Sequence, residues 1–191
     1  MKIIVLASSS PRRKEILEKA GLRFIVDESD YEEDMSCITE PRKLVLKHST
    51  GKAKAVALRH RNALIISADT IVVLNNRIFG KPRSIREARG MLRALSGKAH
   101  TVITGYTILD TAAGRILSRA VESRVFFKKL SDGEIASYIE SGEPLDKAGA
   151  YGVQGLGAVI VKKIEGDFFN VMGLPLNSLV QSLAKFGITV L

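Results

Sequence analysis

A chain of 191 residues that is 46% apolar and 26% charged has the composition of an ordered globule with one sizeable core, which excludes a disordered or low-complexity segment. Its one cysteine, Cys37, excludes an intrachain disulfide and reads as an ordinary thiol, and no apolar run approaches the ~20 residues needed to cross a bilayer. The formal charge of +9 admits a nucleic-acid surface, an anionic small substrate or a solvated exterior, but the lack of Trp and the scatter of the basic residues weigh against nucleic acid.

Residues 3–7 read as a buried strand; they are too few for a signal-peptide core, and a cytoplasmic location follows by elimination. Ser8-Ser9-Ser10 with Pro11 predict an N-cap and first turn for a helix to about Ala20, closed by Gly21. Residues 22–26 suit a second strand, the acidic stretch 27–34 an exposed loop, and Pro41 opens a helix to about Arg59. Residues 63–74 form a β-rich apolar run broken only by Asp69-Thr70, with Asn75-Asn76 turning into a return strand at 77–79. Ser84 caps a helix through Leu95, and strands at 100–109 and 116–127 follow, joined by a turn at 111–114. Ser131 and Glu134 make a capping box ahead of a helix ending near Ser141-Gly142. After dense glycines come a strand at 158–164, a turn at Gly166 and a last helix at 175–186. The pattern is mixed α/β without repeat or linker.

Four groups of residues could carry chemistry. Where the first strand feeds the first helix, Ser8 and Ser10 hydroxyls, free backbone N–H groups, the helix dipole and the guanidiniums of Arg12 and Arg13 make an anion cradle; the plainer alternative is a capped helix with solvated arginines. Asp69, with Thr70, interrupts a run in which an ionised carboxylate is costly unless paired, hydrogen-bonded or metal-bound. Lys81 lies between Gly80 and Pro82, and Lys52 lies on the preceding long helix; alone, either is an ordinary surface lysine. In residues 142–155 and at Asp167 and Asn170, glycines let backbone approach a ligand, while Asp146, Lys147 and Gln154 supply a carboxylate, an ammonium and a base-reading amide; a series of tight turns would explain the glycines alone.

Other signatures are absent. There is no G-x-x-x-x-G-K-[ST] loop, Gly155-x-Gly157 precedes a β-like run instead of opening a helix, and no G-x-S-x-G elbow occurs. His48, His60 and His100 have no metal-ligand spacing with one another or with Cys37, which argues against a zinc enzyme.

In this order, the groups resemble the Maf family of nucleotide pyrophosphatases, relatives of the inosine triphosphate pyrophosphatases. The likeness runs through Ala7-Ser8-Ser9-Ser10-Pro11-Arg12-Arg13, Ser67-Ala68-Asp69-Thr70, Gly80-Lys81-Pro82, Leu95-Ser96-Gly97 with His100 and Thr104-Gly105, the run from Asp146 to Gly155, and the run from Gly166 to Leu176. It implies a single domain over residues 1–191 with an elongated two-lobed α/β fold. A central curved mixed sheet would be flanked by helices, inosine triphosphate pyrophosphatase-like, with a nucleotide cleft between the lobes. A homodimer and a divalent cation, Mg²⁺ or Mn²⁺, are implied too. By position, Asp69 would be catalytic base and metal ligand, Arg12, Arg13, Lys52 and Lys81 would hold the triphosphate, and Glu33, or its neighbour Glu32, would bind metal. Arg12, Thr70 and Gln154 look like the branch that hydrolyses dTTP and UTP to the monophosphate and pyrophosphate. Tyr31-Glu32 and the tract 35–40 depart from the family pattern. The alternatives are house-cleaning hydrolysis of other modified nucleotides such as 7-methyl-GTP, and a basic nucleic-acid-binding regulator of septum formation.

Overall fold

The computed structural model describes residues 2–34 and 40–190. Cys37 and the divergent tract from Met35 to Thr39 lie outside the described residues. Seven strands and six α-helices occur among the described residues. The strands are β1 (Ile3–Leu6), β2 (Phe24–Val26), β3 (Ala63–Leu74), β4 (Arg77–Phe79), β5 (Ala99–Asp110), β6 (Arg115–Phe127) and β7 (Val161–Glu165). The helices are α1 (Pro11–Lys19), α2 (Pro41–Ala57), α3 (Ile85–Leu95), α4 (Asp132–Glu140), α5 (Phe168–Met172) and α6 (Leu176–Ala184). No helix among them is long and apolar enough to cross a membrane.

The sheet is mixed and open. Its order is β2-β1-β3-β5-β6-β7, with β4 paired to β3 off that path. β1 lies parallel to β2 and to β3, in register Ile4 with Phe24 and Ile4 with Leu64, so α1 and α2 are the crossovers that parallel strands require. β3 with β4, and β6 with β7, run antiparallel. The β3–β4 hairpin turns at Asn75 and Asn76, both with positive φ (50° and 64°), a conformation Asn tolerates and a two-residue hairpin turn demands.

The chain divides into two compact units. The first comprises Met1–Asp69, Thr104–Val121 and Met172–Leu191. Val5, Ala7, Ala53, Val56, Ile65 and Leu109 form a buried cluster there between strands and α2. α2 approaches β5 closely: a Cβ on Gly105 would lie 2.6 Å from the Val45 carbonyl, so only glycine fits. Hydroxyls tie the same helix to β5 and β6, with Ser49 and Thr50 bonded to Thr107 at 3.0 and 3.2 Å and Thr107 to Ser118 at 2.8 Å. α2 is therefore fixed in rotation, which sets where His48 and Lys52, one turn apart, must point.

The second unit comprises Thr70–Ile103 and Glu122–Val171. Phe79, Leu92, Leu95, Val125, Phe127 and Tyr151 belong to its core. Ser84 caps α3 by accepting the Glu87 N–H, and Ser131 and Glu134 form the expected capping box on α4. The strand expected at 158–164 is corrected. Residues Gly155–Val159 form a 3₁₀ turn and β7 begins at Val161, because the Glu143 carboxylate accepts the N–H groups of Leu156 and Gly157 and so curls the backbone. The five-residue α5 was also not foreseen; Asp167 caps it by accepting from Phe169 and Asn170.

Candidate functional site

Asp69 is 6% exposed within β3, and its ionised form is matched on both oxygens. Lys52 Nζ lies 2.7 Å from Oδ1, and His48 Nδ1 lies 3.3 Å from Oδ2. Burial by itself would raise the carboxyl pKa. The hydrogen bond from His48, the charge and hydrogen bond of Lys52 and the charge of Arg13 overcome it, and Asp69 sits well below the usual carboxylate range. A second carboxylate on Lys52 comes from Glu33, whose Oε1 is 2.6 Å from Lys52 Nζ. Of the two acidic candidates, both exposed, it is Glu33 that meets Lys52.

The loop carrying Glu33 is seated on α2. Tyr31 packs where any Cβ at Gly51 would collide with its ring, and it tilts against His48 with ring centroids 6.0 Å apart. A glycine inside a helix is ordinarily unfavourable by roughly 1 kcal/mol relative to Ala; here it is the notch that receives the loop. Asp34 adds a second anchor, its carbonyl lying 3.2 Å from His48 Nε2. A carbonyl only accepts, so Nε2 carries a proton, and Nδ1 then faces another acceptor, the Asp69 carboxylate. That carboxylate raises the His48 pKa against the opposing effect of burial.

At the start of α1, Ser10 occupies the N-cap position as expected, but its side chain does not make the capping bond. Ser8 Oγ accepts from the Ser10 N–H at 3.3 Å and from Arg13 at 3.0 Å, and Arg13 Nε also donates to the Gly173 carbonyl at 2.9 Å. Burial lowers the Arg13 pKa, and Asp69 and Glu33 pull it back up. No acidic residue stands in the first turn, so Arg12 and Arg13 place positive charge at the positive end of the dipole, an arrangement that favours an added anion.

Glu33, His48 and Asp69 each offer one donor atom, all within 4.8 Å of one another. Carboxylate and imidazole donors suit a divalent cation, and the Lys52 ammonium between Glu33 and Asp69 shows that these oxygens already converge on a positive charge. The residues fit a metal. His48 was missed in the sequence because the histidines were compared only with one another and with Cys37. The signal was its i, i+4 spacing to Lys52 on one face of α2.

The remaining expected residues lie in the second unit. Thr70 is half-buried and follows Asp69 on β3, where alternation directs successive side chains to opposite faces. Lys81 is exposed, and Gly80 beside it accepts the Gly149 N–H at 3.0 Å, which joins the third and fourth groups. In the fourth group Gly142 stands in open space, but from Gly149 to Gly157 the glycines make room for neighbouring protein atoms. A Cβ at Gly155 would meet Glu143 Oε2 at 2.8 Å, one at Gly157 would meet Tyr138 Oη at 2.7 Å, and one at Gly149 would meet Val72 at 2.9 Å. Its polar groups are largely accounted for as well. Lys147 donates to the Glu143 carbonyl at 2.6 Å and pairs with Asp146 at 2.7 Å, and Asn170, fully buried, donates to Val102 and Ser123. Gln154 stands half-buried just before the 3₁₀ turn. The segment is held on both sides of it, with Gly152 N–H bonded to Tyr138 Oη at 3.0 Å and Leu156 and Gly157 to Glu143.

The profile of the family described as Maf-like protein matches residues 3–186. A dTTP/UTP pyrophosphatase of Methanosarcina barkeri is 49% identical over 191 residues, covering 100% of this chain and 97% of that protein. Proteins of the same name from Methanococcoides burtonii and Pelotomaculum thermopropionicum are 51% and 47% identical, covering 100% of this chain and 98% and 100% of theirs. With agreement along nearly its whole length, this chain belongs to the Maf family.

Proposed function

We propose that this chain is a cytoplasmic nucleoside triphosphate pyrophosphatase that hydrolyses dTTP and UTP to the monophosphate and pyrophosphate, works as a homodimer and uses Mg²⁺ or Mn²⁺. The observation that carries the reading is the buried Asp69 carboxylate, kept ionised by Lys52, His48 and Arg13 and joined through Lys52 to Glu33. The activity named for the relatives supports the choice of reaction and bases.

Arg12, Arg13 and the open N-terminus of α1, with the hydroxyls of Ser8 and Ser10, bind phosphate oxygens and stabilise charge on the leaving pyrophosphate. Lys52 is shared by two carboxylates in the free protein, and a triphosphate offers its ammonium a third anionic partner. As Lys52 and Arg13 turn to phosphate, the Asp69 carboxylate, ionised in the resting site, is left to act on water. Asp69 then orients water toward the α-phosphorus and takes its proton. Glu33 and Asp69 would hold the divalent cation, which would supply charge neutralisation at the phosphate oxygens. Gln154 and Thr70 read the pyrimidine edge, Lys81 contributes a further phosphate contact, and Asp146 and Lys147 complete the substrate-binding set.

The test is pyrophosphate release by the purified protein from a panel of canonical nucleoside triphosphates and modified ones, including 7-methyl-GTP, with Mg²⁺, with Mn²⁺ and with a chelator. Selective release from dTTP and UTP, abolished by chelation, is the expected result. Preference for a modified nucleotide would replace the substrate, and no release from any of them would overturn the reading.

A further inference from the structure

We propose that His48 is itself a ligand of the divalent cation, binding through Nδ1 to complete a nitrogen and two-carboxylate donor set with Glu33 and Asp69; this rests on the reading that those two carboxylates hold a divalent cation. His48 is fully buried on α2, one turn before Lys52. Its Nδ1 lies 3.3 Å from Asp69 Oδ2. Adjacent ligands on an ion with bonds of about 2.1 Å stand about 3.0–3.4 Å apart, so the two atoms already have the spacing of neighbours in a coordination sphere.

The outer side of the ring carries the second observation. A metal-bound histidine usually donates its other ring N–H to a carbonyl or carboxylate, which fixes the tautomer and aims the lone pair. His48 Nε2 does this to the Asp34 carbonyl at 3.2 Å. Asp34 directly follows Glu33, so one short segment delivers a carboxylate to the cluster and orients the imidazole that faces it. Tyr31, seated in the Gly51 notch, keeps that segment on α2. Lys52, which now bridges these carboxylates, would pair with phosphate instead if a cation were held there. An imidazole donor also has a chemical consequence: it favours ions that accept nitrogen, such as Mn²⁺ and Co²⁺, over Mg²⁺.

Metal binding without nucleotide separates this claim from the one beneath it. Mn²⁺ is added to wild-type protein, His48→Leu, His48→Gln and Glu33→Gln; affinities are measured by calorimetry, and directly bonded nitrogen is detected by pulsed electron paramagnetic resonance with ¹⁵N-histidine labelling. Circular dichroism verifies each fold, and His48→Gln serves should the leucine variant not fold. We expect a histidine nitrogen coupling in the wild type that both His48 variants lose, with Mn²⁺ affinity down about tenfold or more and Mg²⁺ affinity changed much less. Mn²⁺ bound with no nitrogen coupling, or a coupling that survives in the variants, overturns the His48 assignment and leaves Glu33 and Asp69 standing. If Mn²⁺ does not bind the wild type, or binds Glu33→Gln equally well, the underlying carboxylate site fails and His48 fails with it.

Discussion

Two histidines mark how differently the units treat polar groups away from water: His48, 0% exposed, lies between the Asp69 carboxylate and the Asp34 carbonyl, whereas the ring of His100, 3% exposed, meets the Tyr151 hydroxyl at 2.7 Å. Among the described residues His100 Nδ1 has no hydrogen-bond partner, and the ring packs edge-on against Phe127 and Tyr151 at 4.9 and 5.2 Å. Carboxylate contact raises the pKa of His48, and burial pushes that of His100 down to about 4. The first unit therefore keeps charges inside by matching them, and the second keeps its core neutral. Charges that are matched by other mobile charges can be handed to a ligand; a neutral core sealed by aromatic rings and fitted glycines can only hold a backbone in place. Under the proposed reading the reactive groups belong with Asp69, while Tyr138 and Glu143 hold the glycine-rich segment on both sides of Gln154.

The comparison can be broken most sharply at Lys52. Lys52→Met keeps much of the side-chain volume but leaves Asp69 and Glu33 without their shared cation, and kcat/KM for pyrophosphate release is expected to fall by about 10²–10³, roughly 3–4 kcal/mol of transition-state stabilisation. A loss of less than threefold would mean that the matched charges are not the reactive ones.

Next in size is the acid sensitivity of the second unit. His100 is depressed in the folded state, so the unfolded chain binds its proton first as pH falls below about 6.5, and stability drops until the folded protein also protonates near pH 4. The loss across that window is on the order of 3 kcal/mol, seen as a wild-type melting temperature that falls about 6–12 °C further than that of His100→Leu. Parallel pH profiles for the two proteins would contradict a neutral buried His100.

Glycines sharpen the contrast at smaller amplitude. Gly157→Ala places a methyl group against the Gly152 carbonyl and the Tyr138 hydroxyl and is expected to destabilise by about 1–3 kcal/mol in a urea titration. Gly90→Ala, in open space on α3, is expected to stabilise by about 0.5–1 kcal/mol. Equal effects would remove packing as the reason for the glycine-rich segment. At Gln154 the expected effect is on selectivity alone: Gln154→Ala should move the ratio of dTTP to dCTP turnover by about tenfold while leaving the urea midpoint in place. An unchanged ratio would argue against base reading at this residue.

What the sequence made legible was local. The β3–β4 hairpin is read to the residue because two asparagines at positive φ follow an apolar run, and the caps on α3 and α4 are read because the capping atoms lie three residues apart. Asp69 stood out because a charge in a buried strand demands partners, and Lys52 was named for its place on the preceding helix. The rest depends on contacts between distant segments. Nothing near His48 in the chain announces Asp69, 21 residues away, and the glycines after residue 148 look like ligand-binding flexibility until Glu143, Tyr138 and Val72 are seen to fill the space beside them. The strand start at residue 158 was misplaced for the same reason, since the bonds that curl the backbone there come from Glu143.

The measurement that bears most directly on the account is steady-state pyrophosphate release from dTTP and UTP by wild type and Asp69→Asn at equal, verified foldedness. Asn keeps the shape and removes the charge around which Lys52, His48 and Arg13 are arranged, so turnover is expected to drop by about 10²–10⁴ while the protein remains folded. Turnover by the variant at the wild-type rate would contradict the assignment of the chemistry to Asp69.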